Sequence, residues 1–186
     1  MNPTSNKSDF EDLTTNLKDL AYSYLEKYSP SKQQLKVYLL KKYLTKIKGS
    51  KSKKEVTSII DEIVLNLEKN KFLNDEMYSD SKARMFLRRG YSLNKINQSL
   101  RNKGIDSNYI KQSIDKIKQD QIEPDFVSAL KLCKRRRIGP LRPNDNRKLF
   151  YKKDMGILAR NGFSFELSKR VLNLEADEFS KLIKLI

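Results

Sequence analysis

The 186-residue sequence contains no histidine, no tryptophan, one cysteine, six glycines and five prolines. Without histidine, the commonest general base and the commonest metal ligand are both missing, which argues against an enzyme. No cofactor or metal is expected. The lone Cys133 cannot form an internal disulfide, which suits a reducing compartment and predicts a cytoplasmic location. Gly and Pro together number 11, about half their usual share, so long helices are favoured over a sheet protein rich in turns. No apolar run approaches the roughly 18 residues of a membrane-spanning helix. The start, MNPTSNKSDFEDLTTN, is polar and acidic and carries no hydrophobic stretch for export.

What the sequence does have is positive charge: 39 Lys and Arg against 23 Asp and Glu, a net of +16. Hydrophobic residues make up 38%, enough for a core but a thin or extended one. Apolar residues recur at helical spacing nearly throughout, which predicts an all-α fold. Residues 1–16 read as a flexible, frayed N-terminus. Leu17, Leu20, Ala21, Tyr24 and Leu25 then share a helix face that Pro30 ends. Ser31 can cap a second helix carrying Leu35, Tyr38, Leu39 and Tyr43. Lys46 to Lys54 reads as a loop, and Val56, Ile59, Ile60, Ile63, Val64 and Leu67 form a third stripe.

The triplet then starts again. A helix from Asp75 to Arg89 stops at Gly90, and Ser92 opens the next with Ile96 and Leu100 inward. Gly104 closes it, and Asp106 or Ser107 can cap a third through Ile110, Ile114 and Ile117. Arg160-Asn161-Gly162-Phe163-Ser164 repeats the punctuation of Arg88-Arg89-Gly90-Tyr91-Ser92, while the earlier corner, Tyr28-Ser29-Pro30-Ser31, lacks the glycine. Eight residues after each serine stands Leu39, Leu100 or Leu172; four after stands Leu35, Ile96 or, breaking the pattern, Ser168. Leu167 and Val171 are expected to carry the inward face there. The organisation this predicts is three tandem three-helix repeats at 17–72, 73–122 and 123–186, stacked side by side. The last includes a basic loop at 134–148.

No catalytic constellation is visible. There is no Gly-rich phosphate loop and no C-x-x-C, and carboxylate pairs such as Asp61/Glu62 are adjacent, so they do not share a helix face. The basic residues are more informative. Lys41, Lys42, Lys46, Lys48, Lys51, Lys53 and Lys54 read equally well as solvated surface or as contacts. Lys131 to Lys153 holds ten Lys and Arg and one acid, Asp145. The candidate nucleic-acid or filament contacts are Arg84, Arg88, Arg89, Lys134, Arg135, Arg136, Arg137, Arg142, Arg147 and Lys148. Arginine suits this work because its planar fork bonds two phosphate oxygens. The aromatics Tyr38, Phe86, Tyr91 and Phe163 sit at core spacing and read as packing, and Cys133 reads as a small buried apolar residue.

Leu73-Asn74-Asp75, Phe86 to Ser92, Leu100-Arg101-Asn102-Lys103-Gly104-Ile105 and Leu158 to Ser164 occur in an order that resembles the RecX regulatory proteins of bacteria. Arg135-Arg136-Arg137-Ile138-Gly139-Pro140 looks like one variant within that family. The resemblance covers about Leu17 to Phe179. It implies an elongated, curved stack of helical repeats lying in the groove of a RecA–DNA filament. There it would modulate the recombinase, mostly by inhibiting ATP hydrolysis and strand exchange. The expected partners are a RecA-type recombinase filament and single-stranded DNA, with duplex DNA as a further option, and the expected form is a monomer. Two other readings stay open. One is a free nucleic-acid-binding helical protein, such as a helix-turn-helix repressor or a nucleoid protein. The other is a helical nuclease, which would need clustered carboxylates.

Overall fold

The structure, a computed structural model, describes the backbone of residues 3–47 and 52–185 and the side chains of residues 11–45 and 52–185. Ten α-helices, one π-helical turn and one 3-10 turn are found there, and no strand occurs among the described residues. The protein is all-α, as the spacing of its apolar residues predicts. The chain forms two compact units, Met1–Tyr78 with Lys103–Ile105, and Ser79–Asn102 with Asp106–Ile186.

In the first unit, α1 spans Pro3–Lys27, α2 Lys32–Lys42 and α3 Lys53–Lys69. The expected frayed stretch to Asn16 is therefore helical from Pro3. Leu13 gives the reason: it extends the stripe of Leu17 and Ala21 by one turn and is itself buried. Ser31 caps α2 with a full capping box, its Oγ accepting from the Gln34 amide at 3.2 Å while Gln34 Oε1 accepts from the Ser31 amide at 3.1 Å. A cap of this kind contributes about 1 kcal/mol. The Ser31 hydroxyl also donates to the Lys103 carbonyl at 2.7 Å. A π-helical turn, Tyr43–Ile47, follows α2. Ser52 and Glu55 form a second capping box, so Lys53 and Lys54 stand in the first turn of α3 rather than in a loop. Lys48, Lys51 and the side chain of Lys46 lie outside the described residues. All six apolar residues expected on α3 are buried.

α4, Asp75–Arg88, begins in the first unit and ends in the second, followed by α5, Leu93–Arg101, and α6, Ser107–Asp120. Gly90 has φ +76°, and the Tyr91 amide donates back to the Phe86 carbonyl at 3.1 Å, a helix stop that a side chain would strain. Gly162, φ +84°, ends a later helix in the same way, with the Phe163 amide donating to Leu158 at 3.3 Å. Ser92, Asp106 and Ser164 are the N-caps of the helices that follow them or lie next to them in sequence. Ile96, Leu100, Ile110, Ile114 and Ile117 point inward.

One device occurs twice. Asp75 Oδ1 accepts from the Lys32 amide at 2.9 Å, and Asp125 Oδ1 accepts from the Leu93 amide at 2.7 Å. Each carboxylate thus satisfies an orphan donor in the first turn of a helix already capped by Ser31 or Ser92. Burial pushes both carboxyls above their ordinary value, against the opposing pull of the amide each accepts from.

Residues 123–186 hold four α-helices and a 3-10 turn where three helices are expected: α7 Pro124–Arg136, the turn Gly139–Leu141, α8 Asn144–Arg160, α9 Phe165–Leu172 and α10 Ala176–Lys184. The expected basic loop at 134–148 is shortened to the seven residues 137–143, because α7 runs to Arg136 and α8 starts at Asn144. Gly139 at φ +62° and Pro140 confine the break to a few residues between α7 and α8. Phe126, Leu130, Leu132, Cys133, Leu158, Val171 and Phe179 belong to the core here. Ser168 is buried on the inward face of α9, its hydroxyl without a partner among the described residues, with Val171 buried beside it and Leu167 partly so.

Candidate functional site

Among the described residues, four consecutive cations stand at the end of α7. Lys134, Arg135 and Arg136 fill its last turn and Arg137 closes it in the left-handed conformation, φ +52°. The Arg137 amide donates to the Cys133 and Lys134 carbonyls, and Ile138, buried, anchors the chain beyond. All four cations are exposed, and none has an acid or hydrogen-bond partner among the described residues. Their charge is placed where the helix exposes its own carbonyl ends, which favours cations by a few tenths of a kcal/mol, up to about 1. Holding Arg137 in a conformation suited to glycine costs about 1 kcal/mol. Cys133 beneath them is buried, and burial with the Asp154 charge pushes its thiol up to about 12, so it is an inert packing residue.

The corner after α4 lies against the same helix. Ser128 donates its hydroxyl to the Tyr91 carbonyl at 2.8 Å, and a Cβ on Gly90 would stand 2.8 Å from Leu132 Cβ. Arg89 is one residue from that contact and Arg136 one helical turn from it. Their Cα atoms are therefore within about 15 Å, and both side chains reach several ångströms further. Arg88 and Arg89 are exposed and unpaired among the described residues. The fold thus joins two clusters that lie some forty residues apart in sequence.

Arg84 is exposed on α4 but pairs with Asp120 at 3.0 Å, both side chains about half exposed. A pair so wet contributes about 0–1 kcal/mol and releases its arginine readily. Lys148 is exposed and lines a cleft of about 640 Å³ with Asn144, Tyr151 and Asn173.

Arg142 and Arg147 stand apart from the expected contact set because the fold uses both. Arg142 Nε and Nη2 hold the two oxygens of Asp154 at 2.6 and 2.7 Å, and Asp154, 2% exposed, also accepts from the Gly139 amide at 3.0 Å. Those hydrogen bonds raise the Arg142 pKa and fix the break between α7 and α8. Arg147 donates to the Leu172 and Leu174 carbonyls at 3.1 and 2.6 Å, tying off the end of α9. A run of cations in a sequence does not show which of them face an internal acid; Asp154 lies 12 residues beyond Arg142.

Three exposed arginines lie outside the expected contact set: Arg101 and Arg160, unpaired among the described residues, and Arg170, which pairs with Glu123. Arg160 occupies on α8 the place of Arg88 on α4, two residues before the glycine, a parallel that could have found it. Elsewhere Asp80 is lowered overall: burial raises it, but hydrogen bonds from Lys116 and Ser113 outweigh that. Among the described residues no three His, Cys, Asp or Glu side chains gather as a metal-binding group, and no helix is long and apolar enough to cross a membrane.

The fold and this surface define an all-helical protein whose arginines all lie in its second unit, seven of them without a partner among the described residues. No family model matches the chain. It is 32% identical over 161 residues to the regulatory protein RecX of Myxococcus xanthus, a match spanning 86% of this chain and 85% of that protein. It is 29% identical over 141 residues to the regulatory protein RecX of Clostridioides difficile, spanning 72% and 62%. A crystal structure of a regulatory protein RecX shares the fold, with a TM-score of 0.61 and 19% identity, covering 94% of this chain and 79% of that one. The chain belongs to the RecX family of regulatory proteins.

Proposed function

We propose that this protein binds a RecA-type recombinase filament on DNA and modulates it, chiefly by inhibiting ATP hydrolysis and strand exchange. The observation that carries the reading is the unpaired surface of Lys134 to Arg137 joined to Arg88 and Arg89, on a chain of this family. A nucleoprotein filament repeats phosphate and acidic protein surface along its length. A helical body of surplus positive charge can then add many weak contacts into useful affinity. No reaction by this protein is required. Binding one filament state more tightly than another shifts the filament toward that state and changes hydrolysis at sites the protein never touches.

On this reading the helices form three tandem repeats in an elongated, curved monomer, working in the cytoplasm and touching single-stranded DNA, with duplex DNA as a second substrate. The recurrence of the Asp75 and Asp125 caps supports the repeat organisation. The test is to add the protein to a RecA-type recombinase with single-stranded DNA and ATP, then follow hydrolysis and co-sedimentation. Reduced hydrolysis with the protein in the pellet is expected; unchanged hydrolysis at stoichiometric protein overturns the proposal. Tight, sequence-preferring binding to bare duplex would favour the repressor-like alternative instead.

A further inference from the structure

The first unit carries a cluster of three tyrosine rings, one of them exposed. Tyr24 and Tyr38 lie face to face, centroids 4.0 Å apart and planes 18° from parallel. Tyr28, one turn beyond Tyr24, meets the Tyr24 ring at 4.9 Å with a 41° tilt. The Lys42 ammonium stands 5.4 Å from the Tyr38 centroid. Tyr24 and Tyr38 pack against the core, whereas Tyr28 is 58% exposed and its hydroxyl has no partner among the described residues. Its ring therefore does little for the core, yet it is held against Tyr24, which is itself stacked on Tyr38.

We infer that Tyr28 is a stacking platform for a base of single-stranded nucleic acid. An unstacked base placed on its exposed ring adds to a cluster that the stacked pair Tyr24 and Tyr38 anchors to the core. Lys27, exposed beside it, supplies a cation for the adjoining phosphate, with Glu26 the acid in the same turn. A rigid π face beside a cation holds single strands with little sequence preference, because every base offers a π face. The first unit has no arginine at all, so its contribution to nucleic-acid binding differs in kind from that of the Lys134 to Arg137 turn. The exposed pair Tyr22 and Phe72 lacks a stacked partner of this kind, its rings meeting edge to face at 85°.

The inference rests on the DNA-binding part of the function proposed above, and the experiment separates the two. The full chain is titrated against an oligo-dT and against an abasic oligomer with the same number of phosphates, as wild type, Tyr28→Leu and Tyr28→Phe. Wild type should prefer the oligo-dT, and Tyr28→Leu should lose about five- to tenfold in oligo-dT affinity while binding the abasic strand as before. Tyr28→Phe should keep the preference, since the ring is retained. With no tryptophan in the chain, quenching of tyrosine emission by oligo-dT gives a second readout, diminished in Tyr28→Leu. An unchanged preference in Tyr28→Leu, or equal weakening on both strands, overturns the platform and leaves DNA binding intact; the equal loss would mark a structural or protein-facing role. Failure of wild type to bind either strand overturns the DNA-binding reading and the platform together.

Discussion

The first unit holds fifteen lysines, no arginine and eleven acids, a net of +4, while the second holds thirteen lysines, all eleven arginines and twelve acids, a net of +12. The two also use their cations differently. In the first, Lys32 pairs with Glu68 and Lys36 with Asp61, at 2.7 and 2.6 Å. In the second, four arginines are committed inside the fold or to surface pairs, namely Arg84, Arg142, Arg147 and Arg170. The other seven have no partner among the described residues. A lysine is a hydrated point charge, cheap to leave in water, whereas an arginine brings a flat fork that bonds two oxygens at once. One residue type therefore does two jobs in the second unit. Where an acid is buried, as at Asp154, arginine locks the chain; where none is near, it stays available to a polyanion.

Arg142→Ala should produce the largest change. It leaves Asp154 buried with only the Gly139 amide, and the loss should be about 3 kcal/mol in chemical denaturation of the full chain. A loss below about 1 kcal/mol would show that water reaches Asp154 and would return Arg142 to the set of free cations. The next effect sharpens the contrast between the units directly. Replacing Arg135, Arg136 and Arg137 with Ala should weaken binding to single-stranded DNA tenfold or more and lower its salt dependence, with helical content unchanged. The matching triple change at Lys41, Lys53 and Lys54 should cost several-fold less; equal losses would mean that charge alone matters and that arginine's geometry does not. The smallest effect falls on one residue. Arg137→Gly should raise stability by about 1 kcal/mol, because glycine adopts φ +52° without strain, while it lowers DNA affinity. A variant that gains stability and keeps full affinity would remove Arg137 from the contact surface.

Much of this was legible in advance because helix punctuation is local. Ser31, Ser92 and Ser164 cap helices where their spacing predicts, and Gly90 and Gly162 end them, since a cap depends on the few residues next to it. The N-terminal stretch is helical rather than frayed, and Leu13, four residues before Leu17, is the local signal for it, set among polar neighbours that read as a tail. The same holds for the basic segment at 134–148. Its composition reads as loop, yet Gly139 and Pro140 interrupt two helices only briefly.

The sequence by itself determined the all-α class, the excess of positive charge and the placement of most helix ends, because periodicity, charge and capping are properties of neighbouring residues. Only the tertiary structure decided which arginines are free. It closed Arg142 on Asp154 and Arg147 on the carbonyls at the end of α9, set Gly90 against Leu132 so that the backbones at Arg89 and Arg136 come near each other, and placed Tyr28 against Tyr24 and Tyr24 on Tyr38. Those outcomes depend on partners brought together by packing, which no local pattern encodes.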